Sequence, residues 1–157
     1  MMPEFADRME HLEDWKQVSL LLAESSRFPR WYRPGLLLIG DTAHVMSPVG
    51  GVGINYAIQD AVVVANVLAE PLVRSQSQLK DLEVRYLATV QRRRGLPTRI
   101  IQAFQAQIQQ RVLAPALGSS QPFAPPALLR LLLRIPFLRD LPARLVAFGV
   151  WPVHVKK

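Results

Sequence analysis

The chain has 157 residues, half of them hydrophobic, which suits one domain with a packed core and excludes wholesale disorder. It has no cysteine, which excludes disulfides, thiolate metal sites and thiol catalysis. The net charge of +7 is uneven: residues 1–72 hold five Lys/Arg and nine Asp/Glu, a balance of −4, and residues 73–157 hold fourteen and three, a balance of +11. This asymmetry suggests an anionic partner for the second half, or a larger protein that balances the charge elsewhere.

The first predicted element is a helix over residues 3–14, where Phe5, Met9 and Leu12 recur at helical spacing with acidic residues between them. An acidic amphipathic stretch is not a signal peptide. No run of about 18 apolar residues is free of charge, so a spanning helix is not expected. These features predict a cytoplasmic protein, with peripheral contact at a membrane as the alternative.

Two strands are predicted in the first third of the chain. The apolar run Val18–Ala23 has polar flanks and indicates a strand, while residues 27–35 indicate a turn or loop because of their prolines and glycine. Residues 36–40, "LLLIG", are continuously apolar, which is typical of a strand buried on both faces. After a Gly-rich turn, an apolar helix is predicted over about residues 53–69, ending at Pro71.

The second half is predicted to be largely helical. A helix begins at Leu79, Gly95 and Pro97 kink or break it, and a further helical run covers residues 100–112. A loop and the leucine-rich residues 127–151 follow. The predicted fold class of the chain itself is α+β, mostly helical with two strands. Because two strands are too few for a stable sheet, further strands must come from another chain or from other parts of a parent protein.

The Gly-rich turn, residues 40–55, lacks the patterns of three familiar sites. It has no Gly-Lys-Ser/Thr ending for a phosphate-binding loop, and Tyr56 stands where the third glycine of G-x-G-x-x-G is needed to bind pyrophosphate. No G-x-S-x-G elbow surrounds Ser47, so a Ser/His/Asp triad is not indicated. The three histidines have no partners at ligand spacing, which argues against a metal site.

The turn does offer two binding features. Asp41 can accept hydrogen bonds from hydroxyl groups, although an Asp at this position also commonly caps its own turn. The amides of residues 51–54 lie at the predicted N-terminus of the helix, where the helix dipole favours negative charge. Because the glycines let the backbone approach a flat ligand closely, a polyol chain joined to a ring that becomes anionic would match both features.

Residues 40–69, "GDTAHVMSPVGGVGINYAIQDAVVVANVLA", closely resemble the GD motif of FAD-dependent monooxygenases of the para-hydroxybenzoate hydroxylase type. That motif has Gly-Asp-Ala-Ala-His, a Pro, Gly-x-Gly-x-Asn, and later Asp-Ala before a helix of small residues. Thr42 replaces a common Ala. The matching positions are Gly40, Asp41, Ala43, His44, Pro48, Gly51, Gly53, Asn55, Asp60 and Ala61.

The resemblance implies FAD as the cofactor, and it assigns no catalytic residue and no metal to this chain. Asp41 would hydrogen-bond the ribityl chain, and Pro48 would lie beside the isoalloxazine ring. Backbone amides and the helix dipole would face the N1–C2=O edge of the ring, which Asn55 would also contact, and would favour negative charge on the reduced flavin. The residues that supply these amides are Gly51, Val52, Gly53 and Ile54.

The same resemblance implies a hydroxylating monooxygenase that uses NAD(P)H and oxygen. Such enzymes begin with a G-x-G-x-x-G strand and helix that hold the ADP half of FAD, and this chain lacks that fingerprint. It resembles the C-terminal part of a Rossmann-like, glutathione-reductase-type FAD-binding domain. Residues 1–72 would end that domain, residues 73–157 would form a helical region packed on it, and a missing N-terminal part or partner chain would supply the remaining sheet.

Less specific interpretations stay open for several residues. For Asn55, bonding to local backbone groups is weighed equally with flavin contact. His44 is expected to be structural, and Asp60 needs a hydrogen-bond partner if it is buried. The aromatic residues expected to serve packing are Trp31, Tyr32 and Tyr56.

The basic residues of the second half carry weak functional signals. Residues 92–94, all Arg, are expected on a solvated helix face, and no nucleic-acid-binding motif surrounds them. Arg130 and Arg134 lie four apart on a leucine-rich helix, which favours docking on the missing portion over contact with a membrane surface. The alternatives for the whole chain are a catalytically inert truncated or interaction module and a basic membrane-surface protein.

Overall fold

Two long helices dominate the computed structural model. Helix α1 (Gly53–Gln78) packs along helix α2 (Val84–Ile108), and two short β ribbons lie against them. The described part of the chain is thus mostly helical with a few short strands, which agrees with the coarse fold class predicted from the sequence. The structure describes residues 11, 13–19, 24–78, 82–113, 135 and 140–156.

Four two-residue strands form the two antiparallel ribbons. Strand β1 (Ser26–Arg27) pairs with β4 (His44–Val45), and β2 (Tyr32–Arg33) pairs with β3 (Leu36–Leu37). A Pro-Gly turn joins β2 to β3, and its Gly35 takes a φ of 74°, a conformation that favours glycine.

The strand predictions hold only in part. The prediction that residues 36–40 form a strand buried on both faces is wrong, because only Leu36–Leu37 form a strand and Leu36 is 51% exposed. An apolar run is buried on both faces only where other elements cover it, and β3 pairs with β2 alone among the described residues. The loop predicted over residues 27–35 instead contains strand residues. Of the strand predicted at Val18–Ala23, residues 18 and 19 are not in a strand and residues 20–23 lie outside the described part.

Helix α1 continues past Pro71, so its predicted end is wrong. A proline inside a helix loses a hydrogen bond and crowds the preceding turn, but packing against α2 supports the helix on the N-terminal side of that point. The helix also runs through residue 72, where a domain boundary is predicted, and that division stays a prediction. The buried side chains of the α1–α2 contact are Val63, Leu68, Leu87 and Val90.

Helix α2 is continuous through Gly95 and Pro97, so the predicted break is also wrong, whereas the kink that was its alternative stays a prediction. The side chain of Pro97 is buried, and packing of this kind offsets the hydrogen bond that a proline cannot donate. The helical run predicted over residues 100–112 is a continuation of α2, which passes directly into the π-helical turn Gln109–Leu113.

The described C-terminal part is a short helix followed by a tail that lies on α1. Helix α3 (Leu141–Phe148) has a proline in its first turn, where the missing N–H costs no hydrogen bond. Asn66 of α1 holds the tail at both ends of its amide, since Nδ2 donates to the carbonyl of His154 at 2.8 Å and Oδ1 accepts from the amide of Lys156 at 2.9 Å. Most of the helix predicted over residues 3–14, and Arg130 and Arg134, lie outside the described residues.

One described segment, Val49–Ser75, is long and apolar enough to cross a membrane by length and composition. The core helix of a globular domain can have the same length and apolar composition. Helix α1 packs along α2 and carries a fully buried carboxylate, Asp60, which forms an ion pair with Arg94 of α2. These contacts bury one face of α1, while apolar residues on another face are exposed.

Candidate functional site

The GD turn, residues 40–44, is pressed against α1. Gly40 takes a φ of 57°, and a Cβ placed on it would lie 3.1 Å from the Cβ of Ala57. Only glycine combines this backbone conformation with such a close approach. The hydroxyl of Thr42 donates to the carbonyl of Ile39 at 2.6 Å and closes the turn locally.

Asp41 stands at the exposed edge of the GD turn. Its carboxylate has no hydrogen-bond or ion-pair partner among the described residues. It therefore does not cap its own turn here, which was the alternative role. An exposed carboxylate without a partner is free to accept hydrogen bonds from a ligand.

The Gly-rich loop, residues 47–53, lies between β4 and α1. Gly50 and Gly51 take positive φ angles of 80° and 62°, and nothing lies within 4 Å of a Cβ placed on Gly51. Pro48 is exposed. The Nε2 of Gln105, from α2, donates to two loop carbonyls at 2.8 and 2.7 Å. The loop is thus held by α2 and open on its other side.

The N-terminus of α1 follows this loop directly. The amides of Gly53, Ile54 and Asn55 have no side-chain cap among the described residues, and Ile54 is 70% exposed. The side chain of Val52 is buried in a core cluster and anchors the loop beneath. Uncapped amides at the positive end of a helix dipole form a site for negative charge.

Asn55 makes a backbone contact that connects α1 to α3. Its Nδ2 donates to the carbonyl of Val146 at 3.0 Å, whereas its Oδ1 has no partner among the described residues. This bond resembles the backbone-satisfying role weighed for Asn55, although its partner is distant in sequence. Contact of Asn55 with a flavin ring stays a prediction.

A buried charged cluster, defined by His44, Asp60 and Arg94, lies beneath the GD turn, and each member is at most 1% exposed. Asp60 Oδ2 accepts from His44 Nε2 at 2.7 Å and from the amide of Gly40 at 2.9 Å. Asp60 Oδ1 accepts from Arg94 Nε at 2.6 Å. Because an ionised carboxylate only accepts, Nε2 of His44 carries the proton in this bond. The cluster joins the GD turn, α1 and α2 through one carboxylate.

The structural roles predicted for His44 and Asp60 agree with this geometry, but the prediction that residues 92–94 all lie on a solvated face is wrong for Arg94. Helical spacing could have revealed the burial of Arg94, since it lies four residues after Val90 and seven before Ile101, on the buried stripe of α2.

The packing roles predicted for three aromatic residues are confirmed by the near-complete burial of two of their side chains and the partial burial of the third. These are Trp31, Tyr56 and Tyr32.

The buried cluster makes stability depend on pH. Burial raises the pKa of Asp60, but hydrogen bonds from His44, Arg94 and the amide of Gly40 outweigh it and hold the pKa below its ordinary value. A carboxylate with a depressed native pKa stabilises the fold above its unfolded pKa. We therefore expect the free energy of unfolding to fall as the pH drops from about 5 toward the native pKa. Urea unfolding at a series of pH values measures this dependence, and Asp60→Asn should flatten it; equal slopes for both proteins would contradict the assignment.

Comparison with known proteins places this geometry in context. A family model described as an FAD binding domain matches residues 3–93, more than half of the chain. The 6-methylpretetramide 4-monooxygenase of Streptomyces rimosus is 39% identical over 155 residues, which cover 98% of this chain and 35% of that protein. The FAD-dependent monooxygenase penM of Penicillium crustosum is 40% identical over 61 residues, 39% of this chain and 13% of that protein. Kynurenine 3-monooxygenase of Stenotrophomonas maltophilia (strain K279a) is 39% identical over 72 residues, 43% of this chain and 16% of that protein. The chain thus spans about a third of the length of the first relative and less of the other two.

Proposed function

The chain belongs to the FAD binding domain family, and from this premise we propose that it forms the part of an FAD site that holds the ribityl chain and the flavin ring. The complete protein would be a flavin-dependent monooxygenase. The observation that carries the proposal is that α1 both holds the GD turn, through the bond from the Gly40 amide to Asp60, and supplies the helix N-terminus. Neither the carboxylate of Asp41 nor the first amides of α1 have a side-chain partner among the described residues.

The residues present fit the cofactor. Asp41 would accept hydrogen bonds from ribityl hydroxyls, and the open side of Gly51 would admit a flat ring. The amides of Gly53 and Ile54 would face the N1–C2=O edge, where the helix dipole favours negative charge by about 0.3–1 kcal/mol, up to ~2 when partly buried. Pro48 would lie beside the ring. The flavin would supply the redox chemistry, while these residues orient it and set the charge around it.

Hydroxylation with NAD(P)H and oxygen is the activity we propose for the complete protein. The support is that all three relatives described above are named as monooxygenases, including the one that matches nearly this whole chain. Within this chain, the described residues offer binding and positioning groups for the cofactor, and we assign none of them a catalytic role.

An exposed apolar stripe on α1 supports the further proposal that the ADP-binding half of the site lies outside this chain. Six apolar residues recur every three or four positions along the helix, and no described residue covers them. A stripe of this length on a helix marks a surface that packs on another element. The residues of the stripe are Ile54, Ile58, Ala61, Ala65, Ala69 and Leu72.

The short ribbons support the same proposal. Two-residue pairings are too small for independent stability, and strand β3 pairs only with β2 among the described residues. We infer that a Rossmann-like sheet from the rest of the protein extends this edge and covers the stripe on α1. In this arrangement residues 1–72 end the FAD-binding domain, and residues 73–157 pack on it as a helical region.

The proposal can be tested by supplying the ADP-binding part that we propose lies outside this chain. The matched third of the Streptomyces rimosus relative would be replaced by this chain, and the purified hybrid examined for flavin absorbance and for oxygen-dependent oxidation of NAD(P)H. We expect a yellow protein with bound FAD. A folded but colourless hybrid would contradict the proposal and favour the inert-module alternative, provided that the unmodified relative, prepared in parallel, retains its flavin.

Replacing Asp41 by alanine should weaken FAD binding in this hybrid on the order of tenfold or more, because a charge-assisted hydrogen bond to a ribityl hydroxyl is lost. Titration of the apoprotein with FAD, followed by quenching of flavin fluorescence, measures the change. The free energy of unfolding of the 157-residue chain should shift by less than about 0.5 kcal/mol, since this exposed side chain has no partner among the residues that the structure describes. Unchanged FAD affinity would argue against the ribityl contact.

A further inference from the structure

One flavin can contact both the GD turn and the N-terminus of α1 only if the two are held at a set separation. The turn carries Asp41 and the helix end carries the open amides of Gly53 and Ile54. The carboxylate of Asp41 makes no hydrogen bond to α1, and the amides of Gly53 and Ile54 make none to the GD turn. Another group must therefore set their spacing.

Asp60 is placed to do this. Its Oδ2 accepts from the amide of Gly40 at 2.9 Å and from Nε2 of His44 at 2.7 Å. These two donors lie on either side of Asp41 in the sequence, one residue before it and three after it. One oxygen atom thus clamps the turn at both of its ends and leaves the carboxylate of Asp41 exposed between them.

The clamp stands on the same helix as the amides. Asp60 follows Gly53 by seven residues, which is two turns of α1 or about 10 Å along its axis. Gly40 also packs on Ala57, which lies midway between these positions. The two residues are so close that a side chain on Gly40 would press on Ala57. A rigid helix segment therefore acts as a spacer between the two halves of the site.

Arg94 keeps the clamping oxygen in place. Its Nε donates to the other carboxylate oxygen, Oδ1, at 2.6 Å, while its Nη1 donates to Oε1 of Gln59 at 2.9 Å. The guanidinium also lies over the ring of Tyr56, with 5.1 Å to the ring centroid. These contacts compensate the buried charge of Asp60 and restrict the rotation of its carboxylate, so that Oδ2 faces the GD turn.

We propose that Asp60 is a positioning residue of the FAD site, which sets the place of Asp41 relative to the N-terminus of α1. The inference rests on the proposed function. It assigns to Asp60 no contact with the flavin; the residue acts on the cofactor through Asp41. Because the action is indirect, its signature is that any effect of Asp60 on FAD binding requires Asp41 to be present.

A double-mutant cycle on the flavin-binding hybrid tests this signature. Asp60→Asn should weaken FAD binding about tenfold when Asp41 is present and have little effect in the Asp41→Ala background. An equal loss in both backgrounds would overturn the proposal, since a general loss of structure acts regardless of Asp41. If the unsubstituted hybrid binds no FAD, the proposed function fails, and the clamp is then decided by hydrogen exchange alone.

Hydrogen exchange of the 157-residue chain supplies that independent readout. Asp60→Asn should speed hydrogen exchange of the Gly40 amide, because that amide donates a hydrogen bond to Asp60. Exchange of the Lys156 amide, which donates to Asn66, should stay unchanged. If Asp60→Asn does not fold, Asp60→Glu keeps the charge and moves the oxygen by one methylene group. That variant should fold, bind FAD more weakly and shift the visible circular dichroism of the bound flavin. Exchange and FAD affinity equal to those of the unsubstituted protein would overturn the proposal.

Discussion

Replacement of Arg94 by alanine should lower the free energy of unfolding by about 3–5 kcal/mol, the largest effect expected for a single substitution in this chain. The guanidinium is 1% exposed and bonded to a carboxylate that is itself fully buried. Removing it leaves the charge of Asp60 in the interior with His44 and the amide of Gly40 as its only partners among the described residues. Urea unfolding at neutral pH, followed by far-ultraviolet circular dichroism, measures the loss.

The neighbouring arginine provides the matched control. Arg93 lies on the same helix, one residue away, and is exposed. Arg93→Ala should change the free energy of unfolding by no more than about 0.5 kcal/mol, since alanine and arginine have similar helix propensities. A similar loss for both variants would mean that the buried ion pair does not carry the effect.

The second large effect is expected at the GD turn, where Gly40→Ala should cost about 2–4 kcal/mol of stability and also weaken FAD binding. Two causes add here. An L-residue at a φ of 57° is strained by about 1–2 kcal/mol, and its Cβ would press on the Cβ of Ala57 at 3.1 Å, which adds the cost of overpacking. Relief of that contact would push the turn away from α1 and strain the bond from its amide to Asp60.

Gly35 separates these two causes. It also has a positive φ, 74°, but nothing lies within 4 Å of a Cβ placed on it. Gly35→Ala should therefore cost only the conformational term, about 1–2 kcal/mol, and leave FAD binding intact. Urea unfolding and FAD titration of Gly40→Ala and Gly35→Ala compare their losses of stability and of FAD affinity. Equal losses for the two variants would contradict the packing of the GD turn on α1.

Local patterns predicted some features well, for reasons that particular residues make clear. A long helix after the Gly-rich turn follows from its mostly apolar composition, and the need of Asp60 for partners follows from its place inside that helix. The ends of elements were predicted poorly. Pro71 and Pro97 are strong local signals for a break, yet both lie inside helices. Packing against α2 supports α1 on the N-terminal side of Pro71, and burial of Pro97 supports α2.

Residues 40–69 by themselves predict the family of the chain, because the family motif consists of residue types at fixed spacing along one continuous segment. The contacts of the buried charged cluster could not be predicted from a local motif. Its members lie 16 and 34 residues from Asp60, and their contacts exist only when α2 packs on α1 and the GD turn folds back onto both. Helical spacing places Arg94 on the buried stripe of α2, but it does not identify Asp60 as the partner of Arg94 there. Long-range packing decides such pairings, because burial and charge compensation are properties of the folded neighbourhood of a residue and not of its local sequence.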